Sequence, residues 1–265
     1  MIDTNDDVWG LAAYKMWFLS YVEEYLPHDD QTLPMIRLKQ EHSVRVSENC
    51  RTLAEELTWS RNDIAAAELL GLLHDIGRFA QFSKYRTFLD SASINHGEFG
   101  YDFLVGSGTA DHLPVAYRGR ILTGVRHHNA RQIPSDISES EIPFVKLIRD
   151  ADKLDIYRII AEDMAGDRVE ERIEKALKVP ANNPPCEEAM ADILAETTVA
   201  NEHVKSLADF HLMQLSWVYD INFRQTMRRI VETGVLEAVA SRLSHSEKVE
   251  RIYSTVLDHA RAAVT

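Results

Sequence analysis

The chain has 265 residues, enough for one large domain or two small ones with a sizeable core. Its 45% hydrophobic and 27% charged content is that of a soluble globular protein. The net charge of −13 argues against non-specific binding to nucleic acid or to an anionic membrane, since both are polyanions. Its two cysteines, Cys50 and Cys186, form no disulfide framework and suit a reducing compartment.

The first predicted element is a helix over residues 8–26, with Asp6 and Asp7 near its positive end. The opening MIDTNDDVWGLAAYKMWFLSYV is acidic where a secretion signal is basic, and Lys15 interrupts its apolar run. No stretch of about 18 apolar residues is present to span a bilayer, so a cytoplasmic location is expected. A second helix over 34–57 sets His42, Val46, Cys50, Leu53 and Leu57 on one face. A histidine on such a face is either a satisfied core side chain or a ligand. Ser60 and Asp63 form a capping box ahead of IAAAELLGLLHDIG, and Gly77 is expected to end that helix just after His74 and Asp75.

Residues 79–95 have no clean period and read as a loop. A helix is predicted from His96 to about Val105, and another opens at Pro114 and runs to His128. NARQIPSDISESEIP, rich in Pro, Ser and Asp, reads as a loop. Pro143 suits the first turn of a helix that passes Asp152 and ends near Ala165. Segment 178–188 holds three of the eight prolines and is the best linker candidate, with roughly three helices beyond it ending at Ala263. With no alternating strands and no internal repeat, the reading is all-α.

Taken in order, His42, His74-Asp75, His96, His127-His128 and Asp152 supply seven nitrogen and oxygen donors on helix faces that are otherwise apolar. Adjacent residues of a helix point about 100° apart, so His74 and Asp75 can serve one centre only if it lies beside the helix end. A carboxylate such as Asp75 has two oxygens and can bridge two cations. Imidazole and carboxylate together suit divalent first-row metals. Val145, Ile148, Asp152, Asp155 and Ile159 share a face, so Asp152 takes a core-facing position where a carboxylate needs a metal, a partner or a proton. Asp155 on that face either orients a ligand or makes a salt bridge. Asp150 falls with Lys146 and Lys153 on the polar side and is assigned to solvent.

Arg78 and Lys153 each read as a phosphate-binding group or a solvated cation. Gln81, Tyr85, Arg86 and Thr87 either contact substrate or decorate a surface loop. Arg224, Arg228 and Arg229 read as a solvated helix face. His28, His112, His203, His211, His245 and His259 lie outside the pattern and read as structural, and the four tryptophans as packing. The chain has no P-loop, no dinucleotide-binding glycine motif and no paired CxxC zinc motif.

The order His, His-Asp, Asp resembles that of the HD-domain metal-dependent phosphohydrolases. With His96 and His127-His128 inserted, it looks like the two-metal branch, which includes the HD-GYP and related cyclic-dinucleotide phosphodiesterases. The resemblance covers roughly residues 36–160. The Gly-Tyr-Pro signature is absent, so the HD-GYP substrate is not carried over. HDIGRF, YRTF, NHGEFG and IRDADKLDIYR are similar to a group of bacterial HD-domain proteins.

This resemblance implies an all-α HD-type helical bundle. The expected organisation is a single domain over 1–265, with the metal-site core at about 34–160 and a C-terminal helical extension at about 187–263. One ion would take His42, His74, Asp75 and Asp152. A second would share Asp75 and take His96, His127 and His128. Iron or manganese is expected, with zinc, cobalt, nickel or magnesium open. The implied activity is hydrolysis of a phosphomonoester or phosphodiester of a nucleotide-like small molecule through metal-activated water, with Asp75, Arg78 and Lys153 as catalytic residues. No stable nucleic-acid partner and no membrane are expected, and the oligomeric state stays open. Two alternatives remain: a di-iron HD-fold oxygenase acting on a small organic or phosphonate substrate, and a metal-containing ligand-binding or signalling module.

Overall fold

The computed structural model describes residues 8–26, 33–163, 179–180 and 183–265. Asp6, Asp7, His28, Ala165 and part of the 178–188 segment lie outside the described residues. Among those described, the regular elements are all helical. They are α1 (Leu11–Glu23), α2 (Leu33–Glu56), α3 (Arg61–Leu73), α4 (Ile76–Tyr85), α5 (His96–Gly106), α6 (Val115–His127), α7 (Ile142–Asp163), α8 (Glu187–Leu194), α9 (Leu207–Ser216), α10 (Arg224–Thr233), α11 (Val235–Ala240) and α12 (Glu247–Val264), with short 3-10 turns between several of them. None of the described helices is long and apolar enough to cross a membrane. The chain divides into two compact units, 1–152 and 153–265, and the boundary falls inside α7 rather than at 178–188.

In the first unit α2 and α3 approach closely because α3 carries Gly71. A Cβ there would lie 2.7 Å from Ser47 Cα and 2.8 Å from Val46 O. Val46, Cys50 and Leu53 of α2 are fully buried, as are Leu69, Leu70 and Leu73 of α3. Ser60 caps α3 by accepting from Asp63 N at 3.2 Å, as the capping box predicts. Helix α1 braces the start of α4: Phe18 and Tyr21 pack edge-on against Phe79, and the Tyr21 hydroxyl donates to Ile76 O at 3.1 Å.

Two local expectations are corrected. Gly77 does not end a helix. Helix α3 stops at Leu73, and Gly77 lies in the first turn of α4. Its role is close approach: a Cβ there would sit 2.3 Å from His96 O, so the start of α5 could not lie where it does. Residues 79–95 are not a loop throughout, because α4 continues to Tyr85. Arg86, at φ 56°, is its left-handed cap.

The second unit contains the end of α7 and α8–α12, where roughly three helices were expected. Its core includes Ile193, Leu212, Leu215, Val218, Val235, Val239, Ile252, Val256 and Ala260. Ser206 and Ser246 cap α9 and α12. Arg224, read as solvated, is exposed but donates to the C-terminal carbonyls of Val264 and Thr265.

Candidate metal centre

The sequence LLHDIG produces a break of two residues between helices. His74 ends α3 in right-handed helical geometry, and Asp75 at φ −100°, ψ 18° turns the chain into α4. The break lets both side chains reach one centre although they are adjacent. His42 comes from α2, His96 from the first residue of α5, His128 from the end of α6, and Asp152 from α7. His42, His74, Asp75, His96 and His128 are all buried.

The two oxygens of Asp75 face different partners. Oδ2 lies 3.6 Å from Nε2 of both His42 and His74. Oδ1 lies 3.3 Å from His96 Nε2 and 3.5 Å from His128 Nε2. Asp152 Oδ1 closes the first group, 3.1 Å from His42 Nε2 and 3.8 Å from His74 Nε2. His96 and His128 meet at 2.9 Å between Nε2 atoms. Donor atoms that share one ion, each about 2.1 Å from it, stand roughly 3.0–3.5 Å apart.

The far side of each of three rings fixes which nitrogen faces inward. Nδ1 of His74 donates to Gly71 O at 2.7 Å, and Nδ1 of His128 donates to Val125 O at 2.8 Å. Nδ1 of His96 donates to the Asp90 carboxylate at 2.7 Å. Each bond leaves an Nε2 lone pair aimed at the cluster. His74 Nε2 is buried and has no hydrogen-bond partner, which is costly unless something else satisfies it. A divalent cation fits that position and this donor set. His42, His74 and Asp152 form one group with metal-ligand spacing, and His74, Asp75 and His128 form another.

The charge states suit a cation. Burial alone would push the Asp75 carboxyl up, but Lys39, His74 and Arg78 outweigh it and hold Asp75 well below the usual carboxylate range. Asp152 is likewise held low against its burial, by His42 above all. Burial pushes His74 down to about 4. Burial, aided by Arg78, pushes His96 down to about 3. At neutral pH these are neutral imidazoles beside ionised carboxylates.

A family model described as the HD domain matches residues 40–157. Those residues are an HD domain. No curated protein and no solved structure matches the chain. The HD-domain match and the His/Asp groups together support binding of a divalent metal.

Not every expected residue of the HD domain joins the cluster. His127 is only partly buried and belongs to neither group with metal-ligand spacing. Its carbonyl, with those of His128 and Ala130, accepts from Arg149 Nη1. That guanidinium holds the negative end of α6 and so fixes where His128 sits. Asp150, assigned to solvent, is fully buried, because Leu147, Ile148, Arg149 and Ala151 around it are buried too. Asp155 is also fully buried, with Arg158 Nε 3.1 Å away. The Lys153 ammonium is engaged by Asp220 at 2.6 Å.

Arg78 does not point freely at the centre. Its Nη1 donates to Phe88 O, to Gln81 Oε1 at 2.9 Å and to Asp90 Oδ1 at 3.0 Å, while its Nε lies 3.4 Å from Asp75 Oδ1. Gln81 is buried, not a surface-loop residue, and its amide donates to Asp90, Ser93 and Ile94. Thr87 is buried as well and accepts from Leu89 N, whereas Arg86 is exposed and Tyr85 half-buried.

Three functional neighbours escaped the sequence reading. Asp90 gathers His96, Gln81, Arg78 and Asn129. Arg149 is the second. The third is Lys39, whose Nζ lies 2.7 Å from Asp75 Oδ2. The usable signal for Lys39 is its place three residues before His42 on α2, which puts both on one helix face.

Proposed function

We propose that this HD domain is a metal-dependent phosphohydrolase with two divalent ions, acting on a phosphomonoester or phosphodiester of a nucleotide-like small molecule. The observation that carries the reading is the division of Asp75, with Oδ2 turned to His42 and His74 and Oδ1 turned to His96 and His128. His42, His74, Asp75 Oδ2 and Asp152 would hold one ion, and Asp75 Oδ1, His96 and His128 the other. His127 is left out of the ligand set on its partial exposure. Iron or manganese is the proposed metal, since a mixed imidazole and carboxylate set suits divalent first-row ions.

When bound, such ions supply a water of lowered pKa and positive charge for the phosphoryl oxygens. The chain's own residues prepare that chemistry. Gly71 O, Val125 O and Asp90 keep His74, His128 and His96 in the tautomer whose Nε2 can ligate. Arg78 ties the 88–90 segment to α4, and through Asp90 it steadies His96. The buried helices keep bulk water away from the imidazoles.

The test is a panel of nitrophenyl monoesters and diesters and of nucleotides, run anaerobically with Mn²⁺ on chelator-stripped protein. Phosphoester cleavage that depends on Mn²⁺ and is lost in Asp75→Asn is the expected result. The reading fails if no ester is cleaved with any divalent metal while iron-loaded protein consumes oxygen with a small organic substrate.

A further inference from the structure

The mouth of the centre holds two cations, and they are held differently. Arg78 is pinned, with one guanidinium nitrogen shared among Phe88 O, Gln81 and Asp90. Among the described residues Lys39 hangs on one hydrogen bond, from Nζ to Asp75 Oδ2. Its ammonium has three donors on a flexible four-carbon stem. The side chain is 18% exposed, against 3% for Asp75, so it lies on the open side of the carboxylate. The Phe88 ring lies beside both cations, 5.6 Å from the Lys39 nitrogen and 5.8 Å from the Arg78 guanidinium carbon.

The oxygen that Lys39 holds is also the one that His42 and His74 face at 3.6 Å each. An ammonium and a divalent ion cannot share that oxygen at short range without strong repulsion between them. A rigid arginine could not yield, but a lysine on one bond can. Once released, it has an aromatic face to rest against and an exposed mouth to reach into.

We propose that Lys39 is an exchangeable counter-ion: it occupies Asp75 Oδ2 in the metal-free protein, a divalent ion displaces it, and the released ammonium then binds the phosphoryl oxygens of the substrate. The last step rests on the phosphohydrolase reading, whereas the displacement requires only that metal binds. Lys39 is thereby both the partner of Asp75 before metal binds and the phosphate-binding group that Arg78, tied elsewhere, does not supply.

The test uses the full chain and pulse acetylation of lysines read by mass spectrometry. Without metal, Lys39 should react slowly. Mn²⁺ alone should raise its rate several-fold, and inorganic phosphate added to the Mn²⁺-loaded protein should protect it again. Lys15, which pairs with Glu68 and is half exposed, serves as the internal control and should not respond. Lys39→Met should bind Mn²⁺ roughly tenfold more tightly and inorganic phosphate roughly tenfold more weakly, the scale of one charge lost at a partly screened site. Lys39→Gln, which keeps a donor, is the second variant if Lys39→Met folds poorly, and the acetylation test needs no variant. Unchanged Lys39 reactivity when Mn²⁺ binds would overturn the proposal, as would release that phosphate does not reverse. Those results would leave the hydrolase reading standing if Mn²⁺-dependent cleavage is observed, whereas failure to bind Mn²⁺ at all would remove both.

Discussion

Asp90→Asn should weaken one metal position and spare the other. Asp90 is no ligand in the proposed site, but its two oxygens accept from His96 Nδ1 at 2.7 and 2.9 Å, Gln81 Nε2 at 2.8 Å, Asn129 Nδ2 at 3.0 Å and Arg78 Nη1 at 3.0 Å. Donors approach both oxygens, so an amide in either orientation sets an NH₂ against other donors. If the NH₂ faces His96, the imidazole must accept at Nδ1 and carry its proton at Nε2, where it can no longer ligate. Loss of such a supporting carboxylate typically costs about 10–100-fold in metal affinity, or roughly 1.4–2.7 kcal/mol. The fold should also lose on the order of 1.5–3 kcal/mol from broken charge-assisted bonds. Calorimetric titration of Mn²⁺ into the stripped protein, beside urea unfolding, reads both effects. One binding step should weaken while the step that uses His42, His74 and Asp152 stays near the wild type. Unchanged affinity for every ion, or an equal loss at both steps, would refute the reasoning that Asp90 acts through His96.

The remaining expectations concern packing, the arginine and pH. Gly77→Ala should destabilise by about 1–3 kcal/mol or more, as overpacking does, since its Cβ would meet His96 O at 2.3 Å, whereas Gly106→Ala, with nothing within 4 Å, should be neutral or slightly stabilising in the same thermal melts. Arg78→Ala should lower both stability and Mn²⁺-dependent activity, and Arg78→Lys should restore little of either, because one ammonium cannot reproduce a guanidinium fixed on Phe88 O, Gln81 and Asp90; full rescue by lysine would return Arg78 to the role of a simple phosphate-facing charge. Metal-free protein should lose stability as pH falls below about 6.5, the unfolded histidine value, because burial holds His74 at about 4 and His96 at about 3 in the fold. Above that pH both states are neutral and the contribution is complete. Below it the unfolded chain takes protons that the fold refuses, at up to about 1.4 kcal/mol per pH unit for each histidine. Urea unfolding that is flat from pH 7.5 to 5 would contradict this.

Much of the helical framework was legible because α2, α3, α5, α6 and α7 are long or carry clear start signals, such as Ser60, Pro114 and Pro143. The site pattern was legible as chemistry, because neutral imidazoles and carboxylates on apolar faces demand an explanation. What failed did so for physical reasons. Asp150 was misplaced because assigning a polar side presumes that the helix has one, and residues 147–151 of α7 are buried all round. Helix α4 was missed because its interior polar residue, Gln81, breaks the apolar period while serving the segment from Asp90 to Ile94. Gly77 reads as a helix stop in sequence, whereas its use against His96 depends on a partner nineteen positions away. Asp90 and Arg149 carried no local signal, since each acts on residues brought to it from elsewhere in the fold. The short C-terminal helices, α11 with only six residues, offer too few turns for a period to show.

The most direct test of the central claim is the metal count in a crystal soaked in Mn²⁺, read by anomalous scattering. Two peaks per chain, about 3.5–4 Å apart, are expected, one against each oxygen of Asp75, with the peak beside His96 and His128 lost in His96→Ala. A single peak in metal-saturated wild-type crystals, or two peaks on the same Asp75 oxygen, would contradict the two-ion account.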